Sequence, residues 1–291
     1  MGSPGSDSDE AITKDEIQGV EPPQTKSSRS KNAFTELMRP KPKAPPAQGH
    51  SPSSFSRGGH PFKDRMGLGA YLADPSSFPP SRVIYHTPDF VVINDLFPKS
   101  TIHTLLLPRS PRHNLMHPFD ALEDADFRAK VVAETGKLKA LVASELRRRL
   151  GHNSRADAAR QAVLDGDDDQ VAPDVELDPA DGLPRGRDWS REVIVGVHAK
   201  PSMSHLHVHV LSRDMHSPKV KHRKHYNSFN TPFLVDVADF PLELDDPRRQ
   251  TKEAGYLHRD LRCWRCGRNF GNRFKQLKDH LEEEFEEWSR E

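Results

Sequence analysis

His205, His207 and His209 stand on alternate residues, with Leu206, Val208, Val210 and Leu211 between and after them. Side chains alternate faces along a β-strand, so three imidazoles would line one side while the apolar residues enter a core. Alternate residues lie roughly 6.5 to 7 Å apart, which suits several imidazoles holding one phosphate. The ordinary pKa of imidazole is near neutrality, so a neutral ring can attack phosphorus at pH 7 without a separate strong base. What it needs is orientation. A backbone carbonyl on the inner ring nitrogen would fix the tautomer and aim the outer nitrogen at the substrate, with flanking rings donating to non-bridging oxygens. The central ring, His207, is the best-placed nucleophile. Two other readings share this pattern: a surface histidine run, and a zinc site on the strand.

A second cluster has metal-ligand spacing. Cys263 and Cys266 form a tight C-x-x-C turn, and His280 and Glu284 follow one helical turn apart, on one face of a helix. Glu284 stands where a second His is usual, and a carboxylate is a workable zinc ligand. The expectation is a finger holding structural Zn2+; the alternative is a redox thiol pair. These two are the only cysteines, which excludes a disulfide framework and suits a reducing compartment. Arg262, Arg265, Arg268, Arg273, Lys275 and Lys278 crowd the finger, and Lys219, Lys221, Arg223 and Lys224 follow the histidine strand. Two such basic surfaces would neutralise nucleic-acid phosphates and make binding salt dependent, without an evident array for reading bases. Glu282 to Glu287 turns acidic, so the far end of the finger is expected to point away from DNA.

The elements that must position these residues can be read from periodicity. Residues 90–93 and 102–107 are β-rich runs separated by Asp95, Pro98 and Lys99, an antiparallel pair. Residues 119–150 repeat apolar groups at a helical period, predicting a long helix over that sheet. Residues 192–198 form another apolar strand, and the histidine strand follows the turn at Pro201. Leu68, Tyr71 and Leu72 lie on a short helix ending near Pro75. The order is α+β. Between Asp165 and Asp181 there are eight acidic residues and no basic one, an insertion or linker broken by Pro173 and Pro179.

The 291 residues carry 34% apolar and 30% charged side chains and 25 Pro, so part of the chain is not expected to fold. Residues 1–60 read as a disordered arm, residues 61–235 as the catalytic domain with the insertion at about 151–188, and residues 236–291 as the finger domain. Within the arm, Phe34, Leu37 and Met38 share one helical face halted by Pro40, a candidate docking helix for a protein partner. The basic residues around it could serve nuclear import. Formal net charge is zero, and the segregation of charge matters more than its sum. No apolar run spans a membrane and no secretory signal opens the chain, so a soluble intracellular protein is expected. Gly2 and Ser6 formally fit the myristoylation pattern, without an adjacent polybasic anchor.

The His-φ-His-φ-His-φ-φ run at 205–211 resembles the histidine-triad (HIT) superfamily of nucleotidyl hydrolases and transferases. Residues 201–204 before it, Ser212, Arg213, Asp214, Ser217, Pro218, Lys219 and Lys221 after it, and then residues 224–230 narrow the likeness. Over about residues 66–149 and 189–288 the chain resembles the aprataxin-like family in its fungal form. The resemblance implies a HIT fold, an antiparallel sheet with packed helices, plus a small C-terminal zinc finger in which Glu replaces the last His. It implies removal of AMP from 5′-adenylated DNA through a covalent intermediate on His207. His103, His198, His205 and His209 would surround the phosphate, Lys99 and Ser202 would contact it, and Asp95 would hold the ribose hydroxyls. Zinc would be structural, and catalysis would need no cofactor. Tyr71 would wedge against a DNA end, while Lys219, Lys221, Lys224, Arg265 and Arg268 would bind its backbone; His216 also lies near this segment. The partner would be DNA with a 5′-adenylated end, nicked or double-stranded or an RNA–DNA junction, met in the nucleus by a monomer. Tyr226 departs from vertebrate relatives, which have Trp there. Two rival functions remain: hydrolysis of small nucleotides with the finger incidental, and DNA-end binding by an unreactive triad.

Overall fold

The four predicted strands join two that the sequence reading did not anticipate, β1 and β6, in one six-stranded sheet in the order β1-β2-β3-β5-β4-β6, every neighbouring pair antiparallel. The strands are β1 (Val83–His86), β2 (Phe90–Asn94), β3 (His103–Pro108), β4 (Val193–His198), β5 (Val208–Ser212) and β6 (Leu234–Val235). This computed structural model describes residues 65–167, 172 and 174–291. The predicted arm, with Phe34, Leu37 and Met38, the import segment and the myristoylation pattern, lies outside the described residues.

Alternation sorts the sheet into two faces. Val92, Leu106, Val208 and Val210 point to one side, into a core shared with the long helix; Val91, Ile93, Leu105 and Leu107 point to the other. α1 (Gly69–Ala73) covers that second face with Tyr71, next to Leu68. The predicted long helix is interrupted: α2 (Pro118–Ala121) ends before α3 (Ala125–Leu150) because Asp124 caps α3, accepting from the backbone N–H groups of Asp126 and Phe127. From α3, Val131, Leu138, Val142, Leu146 and Leu150 are buried at i+7 and i+4 steps, on one face. Full burial of each such aliphatic side chain contributes about 1.5–3 kcal/mol.

The insertion expected at about 151–188 opens with a helix, α4 (Ala158–Asp165), ahead of the acidic run, and its ends are anchored to the core. Asp157, buried, accepts from the Arg187 N–H at 3.2 Å and from Trp189 Nε1 at 2.8 Å, and Trp189 is a core residue. The finger packs directly on the sheet domain. It comprises the hairpin β7 (Leu261–Arg262) and β8 (Asn269–Gly271) and the helix α7 (Phe274–Ser289), with the short α6 (Thr251–Ala254) before them. Leu261, Phe270, Leu277 and Leu281 share a core with Leu211 and Met215 of the sheet domain, and Trp288 reaches the main core. There Trp288 Nε1 donates to Glu192 at 2.7 Å, and Arg187 donates to the Trp288 carbonyl at 2.5 Å. Among the described residues, no helix is long and apolar enough to cross a membrane.

Candidate functional site

The histidine alternation survives, but the strand begins later than expected. Hydrogen-bonded pairing starts at Val208, so His205 and His207 lie on the extended approach to β5 and only His209 is on the ladder. The approach is held by other bonds: Leu206 N–H donates to the Asn114 carbonyl at 2.8 Å, and Leu206 itself is buried in the core. His209 pairs with Leu105 in register, which puts its ring on the sheet face away from α3.

A cleft on that face encloses about 820 Å3 including its open mouth. Asp95, Lys99, His103, His198, Ser202, His207 and His209 line it, so seven of the predicted residues converge. His205 does not line it; its ring lies against Gly69 at the start of α1. The loop between β2 and β3 supplies Asp95 and Lys99, and Asp95 shapes it by accepting from Phe97 N–H at 2.7 Å. Lys99 Nζ donates to the Phe97 carbonyl at 2.8 Å. The opposite wall is apolar, with Leu68, Ile93 and Phe97. Phe97 and Phe229 escaped the sequence reading; Phe229 stood in the quoted run 224–230, but nothing in its spacing placed it beside imidazoles.

Backbone groups determine where the ring protons sit. His207 Nδ1 donates to the His205 carbonyl at 2.8 Å, leaving the Nε2 lone pair free, the arrangement expected for an oriented nucleophile. The Lys99 N–H donates to His103 Nδ1 at 3.1 Å, so the proton of neutral His103 is on Nε2. That nitrogen lies 2.9 Å from His209 Nδ1 and 3.5 Å from Asp95 Oδ2. His209 Nδ1 therefore accepts, and His209 carries its proton on Nε2. His209 Nε2 and His198 Nε2 are buried and find no hydrogen-bond partner among the described residues. Burial holds the rings neutral: it pushes His103 down to about 4, His198 and His209 well below the usual imidazole range, and His207 and His205 down as well. One lone pair and uncommitted ring nitrogens thus converge on a cleft without net positive charge on the rings.

The second cluster is equally compact. Ligand atoms of Cys263, Cys266, His280 and Glu284 all lie within 4.8 Å of one another. His280 Nε2 is 3.2 Å from Cys266 Sγ and 2.9 Å from Glu284 Oε1. Two thiols, an imidazole and a carboxylate fit a tetrahedral zinc ion. Arg265, expected on DNA, is engaged here instead. It donates to Glu284 Oε2 at 2.6 Å and pairs with Glu291, leaving Oε1 to face the cluster.

Two other expected DNA contacts are displaced. Tyr71 is 1% exposed, with its ring 4.4 Å from that of Phe78, so it forms part of the cleft wall rather than an outer wedge. His216 Nε2 donates to Glu282 Oε2 at 2.6 Å and its ring stacks on Phe285, so the acidic end of the finger helix packs on this loop. Lys221 and Arg268 are exposed, Lys224 is half-buried, and Lys219 lies over Phe97 at the cleft, 5.6 Å from the ring centroid.

An antiparallel sheet presenting alternate imidazoles to a cleft, joined to a two-cysteine, His, Glu finger, defines a histidine-triad protein with a zinc-binding finger. Residues 78–216 match the HIT domain family, and residues 230–287 match the C2HE / C2H2 / C2HC zinc-binding finger. The chain is 32% identical over 229 residues to the aprataxin-like protein of Schizosaccharomyces pombe, covering 78% of this chain and 83% of that protein. It is 34% identical over 226 residues to the aprataxin-like protein of Saccharomyces cerevisiae, covering 76% of this chain and 95% of that one. The crystal structure of the aprataxin ortholog Hnt3 in complex with DNA is similar with a TM-score of 0.57 and 30% identity, covering 77% of this chain and 96% of that chain. The chain belongs to the aprataxin-like family.

Proposed function

We propose that this chain is a DNA 5′-adenylate hydrolase acting in nuclear DNA repair, with His207 as its nucleophile. The observation that carries the proposal is the His207 Nδ1 bond to the His205 carbonyl, which leaves a neutral ring with its reactive lone pair at the cleft. Attack by Nε2 on the adenylate phosphorus forms an N–P bond and breaks the anhydride P–O bond; the electron pair leaves on the DNA 5′-phosphate. Uncommitted N–H groups, that of His209 foremost, would meet the charge developing on non-bridging oxygens, with Lys99 and Ser202 beside them. His205 braces His207 through its carbonyl. Water then attacks the phosphoramidate, its oxygen forming the new P–O bond while the N–P electrons return to His207, and AMP leaves. Asp95 would accept from the ribose hydroxyls, and the apolar wall would take the base.

DNA binding is supported by a relative solved with DNA and by Lys219, Lys221, Lys224 and Arg268 around the cleft and finger. Cys263, Cys266, His280 and Glu284 would hold zinc, which supplies structure to the finger and takes no part in either chemical step.

Single-turnover reaction with 5′-adenylated nicked DNA, quenched and peptide-mapped, tests this reading. AMP is expected on His207, and His207→Asn is expected to lose both the adduct and at least about 10³-fold in turnover. Undiminished turnover by that variant removes the nucleophile. Equal rates on a small AMP conjugate would favour the small-nucleotide hydrolase, and tight DNA binding without AMP release the unreactive binding module.

A further inference from the structure

Tyr226 sits on α5 (Arg223–Asn230), is fully buried, and does not line the cleft. Its hydroxyl donates to the Arg262 carbonyl at 2.9 Å and accepts from the Trp264 N–H at 3.0 Å. Those two backbone groups flank Cys263, so one phenol spans the thiolate turn of the finger. Phe229, three residues on and therefore on the same face of the helix, packs against the cradle. Its ring centroid lies 5.4 Å from that of His103, 4.8 Å from that of His198 and 5.1 Å from that of His209. Two of these rings carry the uncommitted buried nitrogens.

We propose that Tyr226 is a positioning residue that transmits the order of the metal-binding turn to the imidazole cradle, through α5 and Phe229. The finger then acts on the reaction centre as well as on DNA, and the shape of the Cys263 turn governs turnover of substrates too small to touch the finger. The inference rests on the proposed hydrolase reading for its activity consequence only; the packing path does not. Tyr226→Phe would keep the ring and leave the Arg262 carbonyl and the Trp264 N–H without their bridge, removing the two bonds that tie α5 to the Cys263 turn.

The test uses the zinc-loaded full chain carrying Tyr226→Phe. Zinc content is expected to stay at the wild-type value, and the ring-nitrogen NMR signals of His198 and His209 are expected to shift at constant pH without substrate. With adenosine 5′-phosphoramidate, kcat is expected to fall about tenfold at unchanged KM, since groups that meet only the transition state are misplaced. Phe229→Leu, which removes the ring that packs on the imidazoles but keeps an apolar side chain, should shift the same signals, and adding Tyr226→Phe to it should shift them little further, because one path carries both effects. Wild-type ring signals in Tyr226→Phe overturn the proposal, as does simple additivity in the double variant. The ring signals need no substrate, so they decide the link even where His207 forms no adduct.

Discussion

In the finger, His280 Nε2 faces a thiol at 3.2 Å and a carboxylate oxygen at 2.9 Å; in the cleft, His103 Nε2 faces another imidazole at 2.9 Å and a carboxylate oxygen at 3.5 Å. Both gather metal-type donors within the same 4.8 Å, yet their wiring differs. The cleft rings have their protons assigned by a backbone N–H at Lys99 and a backbone carbonyl at His205, and burial keeps them neutral. Its one carboxylate is already turned back to the Phe97 N–H. The finger gathers two thiols, an imidazole and a carboxylate, whose deprotonated forms make a zinc ligand set. Donor type alone therefore does not distinguish a metal site from a phosphate cradle; the partners of each nitrogen do.

The comparison breaks most visibly at Cys263, which is both a proposed zinc ligand and a buried member of the core shared with Leu211. Metal binding to a finger is folding free energy. Cys263→Ser, or chelation of the wild type, is expected to lower Tm by at least about 10 °C. Metal analysis should find one zinc per chain in the wild type and almost none in the variant, by the proposed ligand set. A second zinc retained by the variant would place metal in the cleft and erase the distinction.

Acid sharpens the contrast from the other side. His103 is held at about 4 against about 6.5 unfolded, so below pH 6.5 the unfolded chain binds the extra proton and stability falls with pH. The cost from this ring alone reaches about 3 kcal/mol near pH 4, and none of it remains above pH 7. His198 and His209 act in the same direction. Denaturant unfolding between pH 7 and 4, with zinc followed by a metal-sensitive dye, should show a shallower acid limb in His103→Gln than in wild type. An unchanged limb would mean that the finger, not the cradle, carries the acid sensitivity.

Local pattern revealed much of this. Short β-rich apolar runs located β2, β3 and β4, a helical period located α3, and ligand spacing located the finger, because each is set by near neighbours in sequence. The seven cleft residues were also legible, through the triad and the resemblance it carried. What local pattern concealed were pairings across long sequence distances. Arg265 read as a free cation until Glu284 and Glu291 met it, and Tyr71 as an exposed wedge until Phe78 covered it. The acidic segment looked structureless, although Asp157 and Trp189 bind its two ends together across 32 residues. Tyr226 stood out only as a departure from the Trp of vertebrate relatives, and its hydroxyl bond to the finger has no signal in the sequence.

The smallest expected effect concerns a single methyl group. A Cβ at Gly69 would lie 2.8 Å from His205 Cε1 and 3.0 Å from Nε2, closer than side chains pack. The contact is with a ring, which can yield by a few tenths of an ångström, whereas the fold need not. His205 supplies the carbonyl that orients His207, so a displaced ring disturbs the nucleophile through the shared backbone. Gly69→Ala is accordingly expected to lower turnover of adenylated DNA about tenfold, since small misplacements near reacting groups are amplified in rate. Zinc content should be untouched and Tm should move by only a few degrees. Restoration by a smaller residue at 205 would not be expected, because the carbonyl would again be free to wander. Wild-type turnover in Gly69→Ala would show that His207 is held by the extended approach to β5 without help from the His205 ring, and that the cradle tolerates at one edge a looseness not expected of the proposed zinc cluster.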